Sequence, residues 1–529
     1  MTRYAIVADL NRCVGCQTCT SACKHQNATA PGIQWRKVLD FEVGEFPEVS
    51  RAFVPVGCMH CDEPPCLEVC PSTATRKRAD GIVTIDYDIC IGCAYCAIAC
   101  PYQARFRVDA PANAYGGERM RHERLRDDPA RLGVAQKCTF CVERIDAGMA
   151  AGLVPGIDPE ATPACVNSCI AGALTFGDIE DADSNVSTLL RENRHFRMHE
   201  DLGTGPGIYY LYDGEIGQTA PIEPAPMVAE PAGMAAVLPR LQHSWDWRAV
   251  GNFIFGGAGS GLLIAAALYG LIAPPMWSAV FLGLALVGAG LGCVWLEIGR
   301  PWRFLNVFRH PAQSWMSREA GIALAYFALG GLAWLTGALA LLLLAAPFAF
   351  AFVYAQARIL RAARGIPLWR QKQIVPLIVV TGLTEGAGLF AVVALIDQAL
   401  AGVDIGLLHH GWLAGGLFAL VVLRFALWQV YRRALGHGGA PKAALAELDE
   451  TPLALAGLGQ AIILVLVSAA FLTPASLGVA GALALLTGWR FKFALVTRAA
   501  FNQGYEIARM PARGAGVSGP GIRPGWVAE

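Results

Sequence analysis

The sequence predicts two unlike parts in one chain: an α+β domain organised by cysteine loops, then an all-α bundle of eight transmembrane helices. Three observations predict this. Sixteen of the 17 cysteines lie between Cys13 and Cys169. From about residue 250 onward, apolar runs of membrane length follow one another. Charge also divides: residues 1–245 hold 31 acids and 22 bases, a net of −9, and residues 246–529 hold 11 acids and 20 bases, a net of +9. A chain of 529 residues has room for more than one core. The positive half is also the apolar half, so nucleic acid does not explain its charge. Bases flanking apolar helices belong to a membrane protein.

The cysteines fall into four groups of four. Cys13, Cys16, Cys19 and Cys23 stand in CVGCQTCTSAC; Cys58, Cys61, Cys66 and Cys70 in CMHCDEPPCLEVCP; Cys90, Cys93, Cys96 and Cys100 in CIGCAYCAIACP. Cys138 and Cys141 stand in CTFC, and Cys165 and Cys169 follow a long insertion in CVNSC. The spacing C-x2-C-x2-C-x3-C is that of a bacterial ferredoxin, in which three thiolates wrap one cluster and the fourth reaches the other cluster of a pair. Thiolate suits iron because both are relatively soft. Zinc ribbons also use C-x2-C pairs, but two full ferredoxin groups, a C-x2-C-x4-C-x3-C-P group and a split fourth group favour iron. A secreted disulfide scaffold would be short and would need an export signal. The opening MTRYAIVADLNRC has no apolar stretch of signal length before Cys13, so none is expected.

The order of these groups, with CVGCQTCTSACKHQN, ADGIVTIDYDICIGCAYCAIACPYQARF and KCTFCVERIDAG followed by PACVNSCIAGALTFGD, resembles the four-cluster subunit of the dimethyl sulfoxide reductase family of molybdopterin enzymes. The resemblance spans roughly residues 1–213. It implies an α+β ferredoxin-like four-cluster domain holding four [4Fe–4S] clusters. By the family's crossing pattern, Cys13, Cys16 and Cys19 would share a cluster with Cys169. Cys138, Cys141 and Cys165 would share one with Cys23. Cys58, Cys61 and Cys66 would join Cys100, and Cys90, Cys93 and Cys96 would join Cys70. Lys24, Lys137 and Arg144 lie beside these cysteines, either tuning potentials, contacting a partner or carrying surface charge.

Residues 214–244 are rich in Pro, Ala and Glu and lack a helical or strand period, so they read as a linker. Residues 245–500 read as the bundle. A membrane helix needs roughly 20 apolar residues, and eight runs qualify: 251–272, 277–296, 319–337, 339–358, 374–396, 406–430, 453–473 and 475–496. Ala320 to Ala357 is one uncharged stretch, too long for one ordinary span, and it divides best near Thr336–Gly337. Residues 501–529 are set apart as a C-terminal tail.

With eight spans, the loops after the second, fourth and sixth lie on one side. They contain Arg300, Arg303, Arg309 and Arg318, then Arg358, Arg361, Arg364, Arg370 and Lys372, then Arg432, Arg433 and Lys442. The turns on the other side, around Pro274, Gly337, Asp397–Asp404 and Pro474, contain no base. The positive-inside rule then puts the cysteine-rich domain in the cytoplasm, on an inner-membrane protein.

The stretch LEIGRPWRFLNVFRHPAQSWMSREAG, residues 296–321, resembles the loop after the second helix of the eight-helix anchor subunits in the same family. That resemblance implies quinone binding near the iron–sulfur part. Glu297, Arg300, Arg303 and His310 gather at the predicted membrane edge and are the quinone-site candidates. Glu385, at mid-span, joins them, either pairing with Arg424 or moving protons, because a charge inside a membrane helix is costly and has a reason. His310 and His437 lie in loops, and His409 and His410 open a helix on the outer side. With no central His in any apolar helix, no haem is expected. Cys293, alone in an apolar helix, reads as a small buried hydrophobe.

These readings imply an oxidoreductase subunit with no catalytic residues of its own. It would relay electrons between a separate molybdopterin catalytic subunit and membrane quinone. VLDFEVGEFPEVSRAFVPVGC and PACVNSCIAGALTFGDIED look most similar to the membrane-bound cytoplasmic sulfite dehydrogenases, in which sulfite becomes sulfate. Phenylacetyl-CoA-type oxidation and polysulfide, thiosulfate or sulfoxide reduction are alternatives. So is a conduit with no molybdenum partner that couples quinone redox to ion movement.

Overall fold

The computed structural model describes residues 2–45, 47–111, 113, 115–118, 120–126, 128–212, 234–401, 407–436, 439–450, 457–470, 474–511 and 521–526. Most of the expected linker, parts of the expected seventh span and of the tail, and His437 lie outside them. The chain forms two compact units: residues 1–240 with 502–528, and residues 241–501.

The first unit is α+β. Its centre is a four-stranded sheet of β1 (Tyr4–Asp9), β8 (Leu174–Asp178), β9 (His195–Phe196) and β10 (Ile208–Leu211), in the order β8-β1-β10-β9. β1 runs parallel to β10 and antiparallel to β8. Its run YAIVA is buried throughout, as a strand covered on both faces must be. The other strands form hairpins: β2 (Arg36–Glu45) with β3 (Glu48–Gly57), β4 (Thr75–Lys77) with β5 (Val83–Ile85), and β6 (Phe106–Arg107) with β7 (Ala135–Gln136).

Three of the cysteine groups run straight into helices: α1 (Thr18–Asn27), the short helix Tyr95–Ala99, and α2 (Val142–Ala150). Just before each helix the chain turns through left-handed backbone, at Gly15 and Gln17, at Gly92 and Ala94, and at Phe140 and Cys141. These turns curl each loop so that neighbouring thiols face one point. At Gly15 the glycine is needed twice over, because φ is +69° and an added Cβ would lie 2.4 Å from the Phe53 ring.

The C-terminal segment completes this unit. Tyr505, Ile507, Met510 and Ile522 belong to the same apolar core as Ile6, Val54 and Tyr210. Ile507 and Ile522 exchange backbone hydrogen bonds of 3.0 and 2.8 Å. Trp526 Nε1 donates to Gln503 O at 3.0 Å, and Gln103 Nε2 donates to Asn502 Oδ1 at 3.1 Å. Set apart as a tail in the sequence, these residues are structurally part of the cysteine-rich unit.

The second unit is all helix: α3 (Trp247–Tyr269), α4 (Trp277–Glu297), α5 (Trp315–Thr336), α6 (Leu339–Ala362), α7 (Ile374–Ala401), α8 (Leu407–Gly436), α9 (Leu458–Ala469) and α10 (Pro474–Phe493). Seven helices among the described residues are long and apolar enough to cross a membrane, and α9 is a shorter apolar eighth. The long uncharged stretch breaks at Gly337–Ala338, as expected. α3 and α7 are buried along most of their length and form the middle of the unit. They approach at backbone distance, since an added Cβ on Gly386 would lie 2.0 Å from the Gly261 carbonyl carbon. Without a hydrophobic drive between helices in lipid, such close van der Waals contact is what holds a bundle together.

Candidate functional site

Each ferredoxin spacing leaves its thiols a few residues apart, and the left-handed turns bring them together with partners from elsewhere in the chain. One cavity is lined by Cys13, Cys16, Cys19 and Cys169. A second is lined by Cys70, Cys90, Cys93 and Cys96. The electrostatics identify two further sets. Burial pushes the Cys23 thiol up, and its thiol neighbours Cys138, Cys165 and Cys141 push it further. Burial does the same to Cys61, with Cys58, Cys66 and Cys100 around it. The sixteen cysteines therefore group as four sets of four, each taking its fourth member from a different sequence group.

Such sets are poor company for thiols alone. Cys19, Cys66 and Cys96 are raised to about 11 and Cys100 and Cys138 to about 12, each first by burial. Four thiolates at one point repel one another and need a cation between them. Donors are already aimed at the sulfurs. Ala173 N donates to Cys169 Sγ at 3.2 Å, Phe140 N to Cys138 Sγ at 3.4 Å, and Arg105 Nη2 to Cys66 Sγ at 2.9 Å. Asn27 Nδ2 reaches both Cys23 Sγ at 3.6 Å and Cys141 Sγ at 3.8 Å. Soft ligands in fours, with N–H donors around them, fit iron–sulfur clusters.

The flanking bases separate by environment. Lys24 donates to Thr29 O at 2.9 Å and Ala30 O at 2.8 Å, and Arg144 to Thr162 O and Pro159 O. These two brace local loops. Lys137, by contrast, is fully buried, as is Arg36, and Arg105 is buried too. The sequence reading missed the last two, which stand in unremarkable WRK and ARF contexts.

In the helical unit the five quinone candidates divide. Glu297 is the last residue of α4 and is buried. Arg300, Arg303 and His310 follow in or beside the short 3-10 helix Pro301–Arg309. Glu385 stands elsewhere, in mid-α7, and its partner is Lys492 of α10 rather than Arg424. Lys492 Nζ donates to Glu385 Oε2 at 2.5 Å and to Phe253 O at 2.8 Å. Arg424 instead donates to Ala484 O, Gln460 Oε1 and Thr487 Oγ1, each at 3.0 Å. A second buried polar group escaped the sequence reading: Asn252 Nδ2 donates to Glu319 Oε1 at 3.0 Å, and Gln356 Nε2 to Asn252 O at 2.7 Å. Glu319 was hidden at the end of a predicted span. Cys293 is half-buried on α4, close to Gly251. An apolar cavity of about 410 Å³ lies between α3, α7 and α8, and none of the five candidates lines it.

Comparison with known proteins adds two matches to family models. Residues 49–116 match the 4Fe-4S dicluster domain, and residues 249–408 match the DMSO reductase anchor subunit. A selenate reductase subunit of Mesobacillus selenatarsenatis is 41% identical over 225 residues, covering 40% of this chain and 72% of the relative. A tetrathionate reductase subunit of Salmonella typhimurium is 40% identical over 213 residues, covering 40% and 72%. A sulfite dehydrogenase subunit of Allochromatium vinosum is 38% identical over 228 residues, covering 40% and 83%.

Proposed function

The chain belongs to the iron–sulfur electron-transfer subunits of the dimethyl sulfoxide reductase family, and from that premise we propose that it passes electrons from a molybdopterin catalytic subunit to membrane quinone as sulfite is oxidised to sulfate. The observation that carries the wire is the convergence of sixteen cysteines into four sets of four inside one unit. All sixteen are the proposed ligands. When bound, the four [4Fe–4S] clusters supply one-electron transfer from each to the next.

The chain's own residues do the rest. Arg105, Asn27 and the backbone N–H groups at Ala173 and Phe140 orient the thiols and stabilise their negative charge. The helical unit anchors the wire beside the quinone pool. Glu297, with Arg300, Arg303 and His310, would offer a carboxylate and donors to a quinone headgroup, and Glu297 would give or take a proton. The bases of the loops after α4, α6 and α8 favour a cytoplasmic iron–sulfur unit in the inner membrane. A cytoplasmic wire favours an oxidiser that feeds quinone. Sulfite yields two electrons as it takes an oxygen from water, and quinone accepts them with two protons.

The relatives named for selenate and tetrathionate reduction support a second reading, with electrons flowing from quinol to an oxyanion. One experiment separates the two. The complex is purified from membranes and assayed for molybdenum, for sulfite-dependent reduction of a quinone analogue, and for quinol-dependent reduction of selenate or tetrathionate. Molybdenum with no sulfite activity overturns the substrate and leaves the wire; no molybdenum in an intact complex overturns the catalytic partner. Glu297→Gln tests the quinone site. We expect quinone turnover to fall on the order of 10²-fold while artificial-dye activity survives. Equal loss of both would make Glu297 structural.

A further inference from the structure

Three cations lie wholly inside the cysteine-rich unit: Arg36 and Lys137 are 0% exposed and Arg105 6%. A buried charge needs an opposite charge beside it. None of the three forms an ion pair with a carboxylate among the described residues. Arg36 is the extreme case, because none of its three guanidinium nitrogens has a hydrogen-bond partner among the described residues. Arg105 donates to Cys66 Sγ and Thr75 Oγ1, both at 2.9 Å. Lys137 donates to the carbonyls of Val83 and Cys138. Their counter-charges must therefore be the cysteine sets.

Which sets each cation faces forms a pattern. Arg36 faces Cys165 and Cys138 of one set and Cys19 of another. Lys137 faces Cys138 of the first of these, and Cys58 and Cys66 of a third. Arg105 faces Cys66, Cys58 and Cys100 of that third set and Cys96 of the fourth. Ordered by these charge neighbours, the four sets leave three gaps, with one buried cation for each.

We propose that Arg36, Lys137 and Arg105 are positioning residues for electron transfer, one per gap, each a fixed buried positive charge beside both flanking clusters that holds the reduction potentials of neighbours up in pairs. This rests on the cluster ligation proposed above. Reduction adds one negative charge to a cluster and takes up no proton, so a cation fixed in low dielectric favours the reduced form on either side of it. Shared between two clusters, it raises both and keeps the step between them small. The Arg36 nitrogens, unpartnered among the described residues, are donors available to the cysteine sulfurs.

The test is a redox titration followed by electron paramagnetic resonance, on the full chain with its catalytic partner in detergent. Iron and acid-labile sulfide are measured alongside. The variants are Arg36→Met, Lys137→Met and Arg105→Met, with Arg36→Lys keeping the charge. Each Met variant should lower two of the four transitions, each by at least tenfold in the equilibrium constant for reduction, about 59 mV for a one-electron couple. The pair moved by Arg36→Met and the pair moved by Arg105→Met should share no member. Lys137→Met should move one of each, and Arg36→Lys should restore most of the shift. With iron content retained, no shift, a uniform shift of all four, or pairs that overlap otherwise would overturn the proposal. Should one variant fail to assemble, the other two decide, since their shared transitions are fixed in number. Wild-type protein lacking four-iron signals would overturn the ligation itself, a separate failure.

Discussion

The two units solve the same problem, charge in a dry interior, in opposite ways. In the cysteine-rich unit the buried cations stand without carboxylate partners and face thiols. In the helical unit the buried cation Lys492 is matched within the chain by Glu385, and Arg424 by carbonyl, amide and hydroxyl oxygens. The first arrangement calls for metal clusters as counter-charge; in the second, the chain itself supplies the counter-charge of Lys492 and acceptors for Arg424. A unit built around a cofactor leaves its electrostatics open, and a unit built to sit in lipid must close them.

The largest test of this contrast is Cys93→Ser. It should remove or convert one cluster and abolish electron transfer to quinone, while circular dichroism of the helical unit stays unchanged. Unchanged iron content and turnover would contradict the ligand role of Cys93. Next comes Glu385→Gln, which strands Lys492 without its counter-charge. Breaking one half of a buried pair costs about 3–5 kcal/mol, seen as a lower unfolding midpoint in detergent. Glu385→Met with Lys492→Met should recover most of that loss. A double variant as unstable as the single would mean the pair is not what closes the helical unit.

The smallest effect concerns the docked C-terminal segment, where the first unit does use an internal ion pair. Burial alone would raise the Glu506 carboxyl, but the His199 ring, 3.5 Å away, and the nearby Arg523 outweigh it and hold it below the usual range. A depressed carboxyl stabilises above its unfolded value and loses that contribution as pH falls through its folded one. Protease protection of the segment around Glu506, residues 502–511, should therefore be full at neutral pH and weaken only below about pH 4.3. Glu506→Gln should flatten that dependence. A segment equally protected in both proteins through this range would remove Glu506 from the docking.

What could be read from sequence follows from distance along the chain. The cysteine loops and the helices α3 to α8 are local patterns, set by spacing and by runs of apolar residues, and they were legible. The break at Gly337 was legible because one uncharged run exceeded one span. Partners far apart in sequence were not. Lys492 is 107 positions from Glu385, and nothing local marks it as the counter-ion when Arg424 is nearer. Arg36 reads as an ordinary strand charge until β2 pairs it with Gly57, beside Cys58. The segment around Tyr505 has no period to announce it. Its burial against Tyr102, whose carbonyl accepts from Tyr505 Oη at 3.4 Å, exists only once the chain has come back.

That return settles a matter of parity. Residues 2–240 and 502–526 belong to one folded body, and a single polar body occupies one face of a bilayer. A chain that leaves a face and rejoins it has crossed an even number of times. Seven full-length helices among the described residues are therefore one too few, and the short apolar helix Leu458–Ala469 is the candidate for the eighth crossing. A tail of two dozen residues thus counts the membrane spans more strictly than hydropathy does.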